Sequence, residues 1–105
     1  MVRPFAFLAL LACSIAVAVA AEPKHNVKPA EGYVPDEATA IKIAVAVWEP
    51  IYGANHIAGE KPYHAALQDG VWTVTGSLPK QMLGGVAIAE ISKQDGRILR
   101  VSHGK

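Results

Sequence analysis

The sequence has few of the features that would by themselves indicate a chemical activity. Among 105 residues there is one cysteine, Cys13, so no disulfide can form within the chain and paired-thiol chemistry is excluded. Ten lysines and arginines stand against nine acids, and the net charge of +1 comes with no basic run. Nucleic-acid binding needs a strongly basic surface, so we exclude nucleic acid as a partner.

Long apolar runs are also missing, except at the N-terminus. Residues 5–19 form an apolar run after Arg3, and Ala18-Val19-Ala20 fits the small-x-small rule for signal peptidase. The run is shorter than the roughly 20 residues that cross a bilayer. We therefore predict a signal peptide over residues 1–20, cleavage near Ala20, a periplasmic or secreted protein and no membrane span after processing.

The leader also allows an alternative interpretation. Leu10-Leu11-Ala12-Cys13 resembles a lipoprotein cleavage box, in which Cys13 would become the lipidated first residue. In either case residues 21–32, with two prolines and no apolar period, predict a flexible linker. Residues 33–105 then form one domain. Without Arg3, the processed chain has nine lysines and arginines and nine acids, so its net charge is zero.

The first regular element of this domain is a helix predicted from Asp36 to Trp48. Asp36 follows Pro35 and can accept backbone N–H groups of the first turn, as an N-cap does. Pro50 is expected to end the helix, because it lacks an N–H group. A buried stripe is predicted from apolar residues at i, i+3, i+4 and i+7, namely Ile41, Ala44, Val45 and Trp48.

From Tyr63 onward the apolar period changes from about 3.6 to 2, which predicts strands. The strands are expected over residues 63–68, 71–78, 85–93 and 97–102. Asp69-Gly70 and Gln94-Asp95-Gly96 are typical of tight turns between antiparallel neighbours. The predicted fold class is α+β, with one amphipathic helix packed on a four-stranded antiparallel meander.

Several segments in this order resemble a known family. They are Gly32–Ala44, Val47–Gly53, Leu78–Val86 and Glu90–Lys105. Together they resemble small bacterial immunity proteins with a nuclear transport factor 2-like (NTF2-like) fold, of the polymorphic toxin systems. The resemblance implies a reduced NTF2-like cone, a cognate toxin as partner, neutralisation of that toxin by binding, and neither catalysis nor a cofactor.

Two alternatives share this architecture. A cystatin-like domain also lays one helix across a meander, so an exported cystatin-like inhibitor or accessory module remains a candidate. A small-molecule-binding or isomerase-like domain of the NTF2-like fold is the other. In that case Glu90 would face into the cone and abstract a proton; otherwise Glu90 pairs with Arg97 or Arg100 across the hairpin.

The toxin-binding surface is expected at the loops over residues 54–62 and 79–84, which are polar, irregular and at element ends. The candidate contact residues are His56, Lys61, Lys80, Met82, Leu83, Glu90, Arg100 and His103. An exported protein meets toxins that act in or pass through the periplasm, such as cell-wall hydrolases or membrane-active domains.

Metal binding is not expected from the histidines. His56, His64 and His103 are potential ligands, but no two of them have the i, i+4 or short-loop spacing of a zinc site. The tryptophans Trp48 and Trp72 are predicted to be core residues.

Overall fold

In the computed structural model of the protein, residues 25–79 and 82–104 are described. The elements are helix α1 (Glu37–Tyr52), helix α2 (Ala54–Ala58), and strands β1 (His64–Gln68), β2 (Val71–Thr75), β3 (Ala87–Ser92) and β4 (Ile98–His103). The strands form one antiparallel sheet in the order β1-β2-β3-β4, and α1 packs on β1, β2 and β3. The predicted α+β arrangement of a helix on a four-stranded meander is confirmed.

The predicted leader, with Cys13 and the cleavage site near Ala20, lies outside the described residues. Neither helix in the described part of the chain has the length and apolar character of a membrane span.

Helix α1 begins where the sequence predicts. Asp36 has an extended backbone, with φ of −142°, and its carboxylate accepts the N–H of Thr39 at 2.8 Å. The hydrogen bonds from Thr39 lower the pKa of Asp36. The predicted N-cap is confirmed.

The end of α1 differs from the prediction. Pro50 lies inside the helix, which continues to Tyr52 before Gly53 closes it with φ of 97° and donates its N–H to the Glu49 carbonyl at 2.8 Å. Pro50 is exposed, and the carbonyl that its missing N–H leaves without a helical donor belongs to Ala46, which is exposed as well and is open to hydration. The prediction that Pro50 ends the helix is therefore wrong.

Helix α2 lies where the sequence predicts a loop. Its five residues include the buried Ile57, and Gly53 precedes it without a side-chain cap. A helix of one turn is too short for a 3.6-residue period to appear in the sequence. The loop prediction for residues 54–62 is wrong for this first half.

The two faces of the sheet differ in burial. Trp72 pairs with Ile91 and Val74 pairs with Ala89 across β2 and β3, and all four side chains are buried on the face that α1 covers. Trp48 of α1 is fully buried in the same cluster. The predicted core positions of both tryptophans are confirmed, because strand alternation brings one face of each strand to the helix.

The first hairpin has the predicted turn. Asp69 and Gly70 have φ angles of 50° and 78°. A type I′ turn needs positive φ at both central residues, which the Asp-Gly pair tolerates. The turn therefore sets the register in which Gln68 pairs with Val71.

The segment before α1 closes one end of the core. Val34 is fully buried, and its carbonyl accepts the indole N–H of Trp72 at 2.8 Å. Its N–H donates to the Lys93 carbonyl at 3.0 Å. One residue earlier, the Tyr33 hydroxyl donates to the Val27 carbonyl at 2.7 Å on the surface.

Trp72→Phe should destabilise the fold far more than Tyr33→Phe. Both changes remove one donor to a backbone carbonyl of the same segment, but only Trp72 is buried, so only there does the acceptor lose its partner without gaining water. The expected losses are about 2 kcal/mol for Trp72→Phe and under about 0.5 kcal/mol for Tyr33→Phe. Urea unfolding measures both, and equal losses would contradict the assignment of Val34 to the core.

Candidate functional site

A pocket of ≈ 340 Å³ lies at the opposite end of the sheet from Val34. Its walls are α2 and the turn after it, the connection between β2 and β3, and the end of β4. The lining includes four polar side chains and four apolar ones: Asn55, His56, Glu60 and His103, and Leu78, Pro79, Met82 and Leu83. Its volume is within the roughly 300–1,000 Å³ typical of ligand sites.

Glu60 is the buried charged residue of this pocket, with 4% of its surface exposed. Its carboxylate Oε1 accepts the N–H of Ala87 at 2.8 Å, and its backbone carbonyl accepts the N–H of Ser77 at 2.7 Å. The Ala87 N–H would otherwise return a bond to Gly76 in the β2–β3 ladder, whereas the Ser77 N–H faces the β1 side of β2. Strand β2 therefore ends at Thr75, short of the predicted Leu78.

Gly76 leaves the space that Glu60 occupies. A Cβ atom at this position would lie 2.3 Å from Oε1 and 2.8 Å from Cβ of Glu60. The N–H of Gly76 still donates to the Ala87 carbonyl at 3.0 Å, so one side of the ladder remains paired. The insertion of the carboxylate into the sheet end thus depends on a residue without a side chain.

Two histidines contact the other oxygen of this carboxylate. His103 Nε2 lies 2.7 Å and His56 Nε2 lies 3.1 Å from Glu60 Oε2, and the two Nε2 atoms are 3.1 Å apart. We call these three residues the His–Glu cluster. The Gly104 carbonyl, 2.7 Å from His103 Nδ1, and then Glu60 raise the pKa of His103, and burial partly opposes them.

Half of the predicted contact residues meet at this pocket, namely His56, Met82, Leu83 and His103. Met82 and Leu83 have 56% and 97% of their surfaces exposed. Lys61 is exposed and follows Glu60 in the chain. Lys80 lies outside the described residues.

Glu90 and Arg100 lie away from the pocket, on the outer face of the sheet. They are directly opposite in the β3–β4 register, and Arg100 Nε donates to Glu90 Oε2 at 3.2 Å. The neighbours of Glu90, Ala89 and Ile91, are the residues that point into the core. The interpretation in which Glu90 faces into the cone is wrong, and its pairing with Arg100 is confirmed.

Glu60 is the site residue that sequence patterns did not reveal. The sequence did contain one signal that could have found it: the i, i+4 spacing of His56 and Glu60, which brings both side chains to one face of a helical turn. His103 joins them from 43 residues further along the chain, and no local pattern indicates that contact. His64 lies on β1, outside the cluster.

Comparison with known proteins agrees with the resemblance drawn from the residues. Residues 39–105 match the model of the Imm-NTF2-2 family, described as NTF2 fold immunity protein. In Escherichia coli (strain K12), uncharacterized protein YhhH is 38% identical over 85 residues, covering 80% of this chain and 65% of the relative. Uncharacterized protein YbbC is 36% identical over 83 residues, covering 78% and 66%.

The chain thus spans slightly less than two thirds of the length of both relatives. No solved structure matches it.

Gly76→Ala should destabilise the protein, whereas Gly59→Ala should not. The first adds a methyl group where Glu60 stands, and the second adds one 3.4 Å from the nearest atom, on a backbone with φ of −72° that alanine adopts freely. We expect a loss of about 2 to 4 kcal/mol for Gly76→Ala and a change within about 1 kcal/mol for Gly59→Ala, from urea unfolding. A Gly76→Ala protein as stable as Gly59→Ala would show that Glu60 does not need this space.

Proposed function

Because the chain belongs to the NTF2-fold immunity protein family, we propose that it binds a cognate bacterial toxin and neutralises it outside the cytoplasm. The observation that carries the proposal is the family match over residues 39–105, which include all three walls of the pocket. Inhibition by an immunity protein of this kind needs a complementary surface and no reaction. Affinity then comes from a few apolar anchors that become buried on binding.

The β2–β3 loop, which we define as residues 76–86, supplies such anchors. Leu83 is 97% exposed, and Met82 and Leu78 are exposed beside it. Large apolar side chains that stand together on a connection, rather than singly on a strand, are typical of a binding surface. His56 and His103 across the pocket provide polar groups at the edge of that surface.

The compartment follows from the predicted leader. Residues 1–20 carry the features of a signal peptide, so the proposed toxin is one that acts in or passes through the periplasm, such as a cell-wall hydrolase or a membrane-active protein. Attachment through Cys13 as a lipoprotein would leave the protein in the same compartment. The proposed protection therefore takes place where such a toxin enters.

Leu83→Asp should weaken toxin binding without unfolding the protein. The candidate toxin to be tested is the product of a gene adjacent to that of this chain, and co-expression should restore growth that the toxin alone prevents. A carboxylate in place of Leu83 would be buried unpaired at the interface, so we expect the Kd to rise at least about 10-fold, measured by calorimetry with purified partners.

Val27→Asp is the matched control, because Val27 is 71% exposed and lies in the segment at the other end of the sheet. It should bind as the unchanged protein does. Equal effects of the two substitutions would place the contact surface elsewhere, and growth arrest in the presence of the unchanged protein would contradict toxin neutralisation.

Removal of residues 2–20 should separate binding from protection. The shortened protein keeps every residue that the structure describes, so its affinity for the toxin in vitro should be unchanged. Protection of cells should be lost, because the protein stays in the cytosol while the toxin acts outside it. Intact-mass measurement of the full-length protein should show cleavage near Ala20, and an uncleaved cytosolic product would refute export.

A further inference from the structure

The His–Glu cluster brings three potential ligand atoms to one point. His56 Nε2 comes from α2, Glu60 Oε2 from the turn after it, and His103 Nε2 from the end of β4. The three atoms form a triangle with edges of 2.7, 3.1 and 3.1 Å. Such a short separation needs a positive charge or protons between them, since a carboxylate oxygen and an unprotonated imidazole nitrogen both present lone pairs.

With Glu60 as a carboxylate, hydrogen bonds alone leave at least one of the three edges of this triangle without a donor and an acceptor facing each other. His103 Nδ1 lies 2.7 Å from the Gly104 carbonyl, which only accepts, so the proton of a neutral His103 is on Nδ1 and its Nε2 presents a lone pair to Glu60. A second proton on His103, at Nε2, would form a hydrogen bond along the edge from His103 to Glu60. If His56 Nε2 also donated to Glu60, the two N–H groups would meet across the remaining 3.1 Å edge.

We propose that His56, Glu60 and His103 bind a divalent transition-metal ion of the zinc type. An ion above the triangle contacts all three lone pairs at once. Three ligand atoms at about 2.0 to 2.1 Å from an ion are about 2.9 Å apart when at right angles and about 3.3 Å apart in a tetrahedron. The observed edges lie within about 0.2 Å of the first value, and they reach the second by opening by about 0.2 to 0.6 Å.

The surroundings of the cluster hold its ligands in the required orientation. The Nδ1–H of His103 donates to the Gly104 carbonyl, and Glu60 Oε1 accepts from Ala87, so these two ligands are fixed through their other polar atoms. Hydrogen bonds of this kind are the usual outer shell of a metal site. The ring of Tyr52 packs on His103 with centroids 5.0 Å apart.

The donor set indicates the class of ion. Two imidazoles and one carboxylate favour zinc and neighbouring transition metals over calcium or magnesium, which prefer oxygen ligands. Three protein ligands leave at least one coordination position, and all three residues line the pocket of ≈ 340 Å³. A water molecule, or a donor group from a bound molecule, has access to that position. The proposal does not depend on the identity of any protein partner.

The test is titration of zinc chloride into the purified, chelator-treated protein, followed by isothermal calorimetry. We expect one ion per chain with a Kd in the micromolar range or below. His56→Gln and His103→Gln should each raise the Kd at least about 10-fold, the smallest loss typical even of changes to outer-shell partners. His64→Gln is the control, because His64 is an exposed histidine on β1 outside the cluster, and it should bind zinc unchanged.

The side chain of His56 is 54% exposed, so His56→Gln should retain the native circular dichroism spectrum even if His103→Gln does not fold. Zinc should also raise the melting temperature of the unchanged protein and leave that of His56→Gln unchanged, because an ion that binds only the native state stabilises it. Absence of saturable binding, or equal binding by the unchanged protein and His56→Gln, would overturn the proposal and leave a hydrogen-bonded cluster only.

Discussion

The insertion of one carboxylate into the end of the sheet organises half of this fold. Glu60 Oε1 accepts a hydrogen bond from the N–H of Ala87, and the main-chain carbonyl of Glu60 accepts one from the N–H of Ser77. Glu60 Oε2 contacts two histidines. A buried carboxylate is strongly unfavourable unless its lone pairs are satisfied. The bonds to Ala87 and to the histidines therefore offset the cost of burying this carboxylate. Together these contacts connect the turn after α2 to strand β3 and to the end of β4.

The same interaction explains the shape of the pocket. Because Glu60 Oε1 takes the Ala87 N–H that would otherwise bond to Gly76, β2 and β3 separate earlier than their apolar alternation alone would require. The β2–β3 loop that results is long enough to project apolar side chains, of which Leu83 is 97% exposed. The contact between Glu60 and Ala87 thus shapes both the pocket and the loop with the exposed Leu83 beside it.

The parts of the fold that depend on neighbouring residues were predictable from the sequence. The Asp36 cap, the Asp69-Gly70 turn and the strand alternation each act over a few positions, where chemistry and conformation are directly linked. The continuation of α1 through Pro50 was not, because it depends on which side of the helix faces solvent. The cluster around Glu60 was not predictable either, since His103 lies 43 residues away and reaches it only through the order of the strands.

The two ends of the sheet are closed in different ways, and the difference bears on function. At one end, a neutral donor and acceptor, the Trp72 indole and the Val34 carbonyl, are buried with each other and are complete. At the other end, a buried carboxylate oxygen and two imidazole nitrogens lie within 2.7 to 3.1 Å of one another beside an open pocket. A fold that needed only stability could close both ends with an apolar side chain. The end that retains charge, an open pocket and exposed apolar residues is therefore the end at which this protein is most suited to bind other molecules.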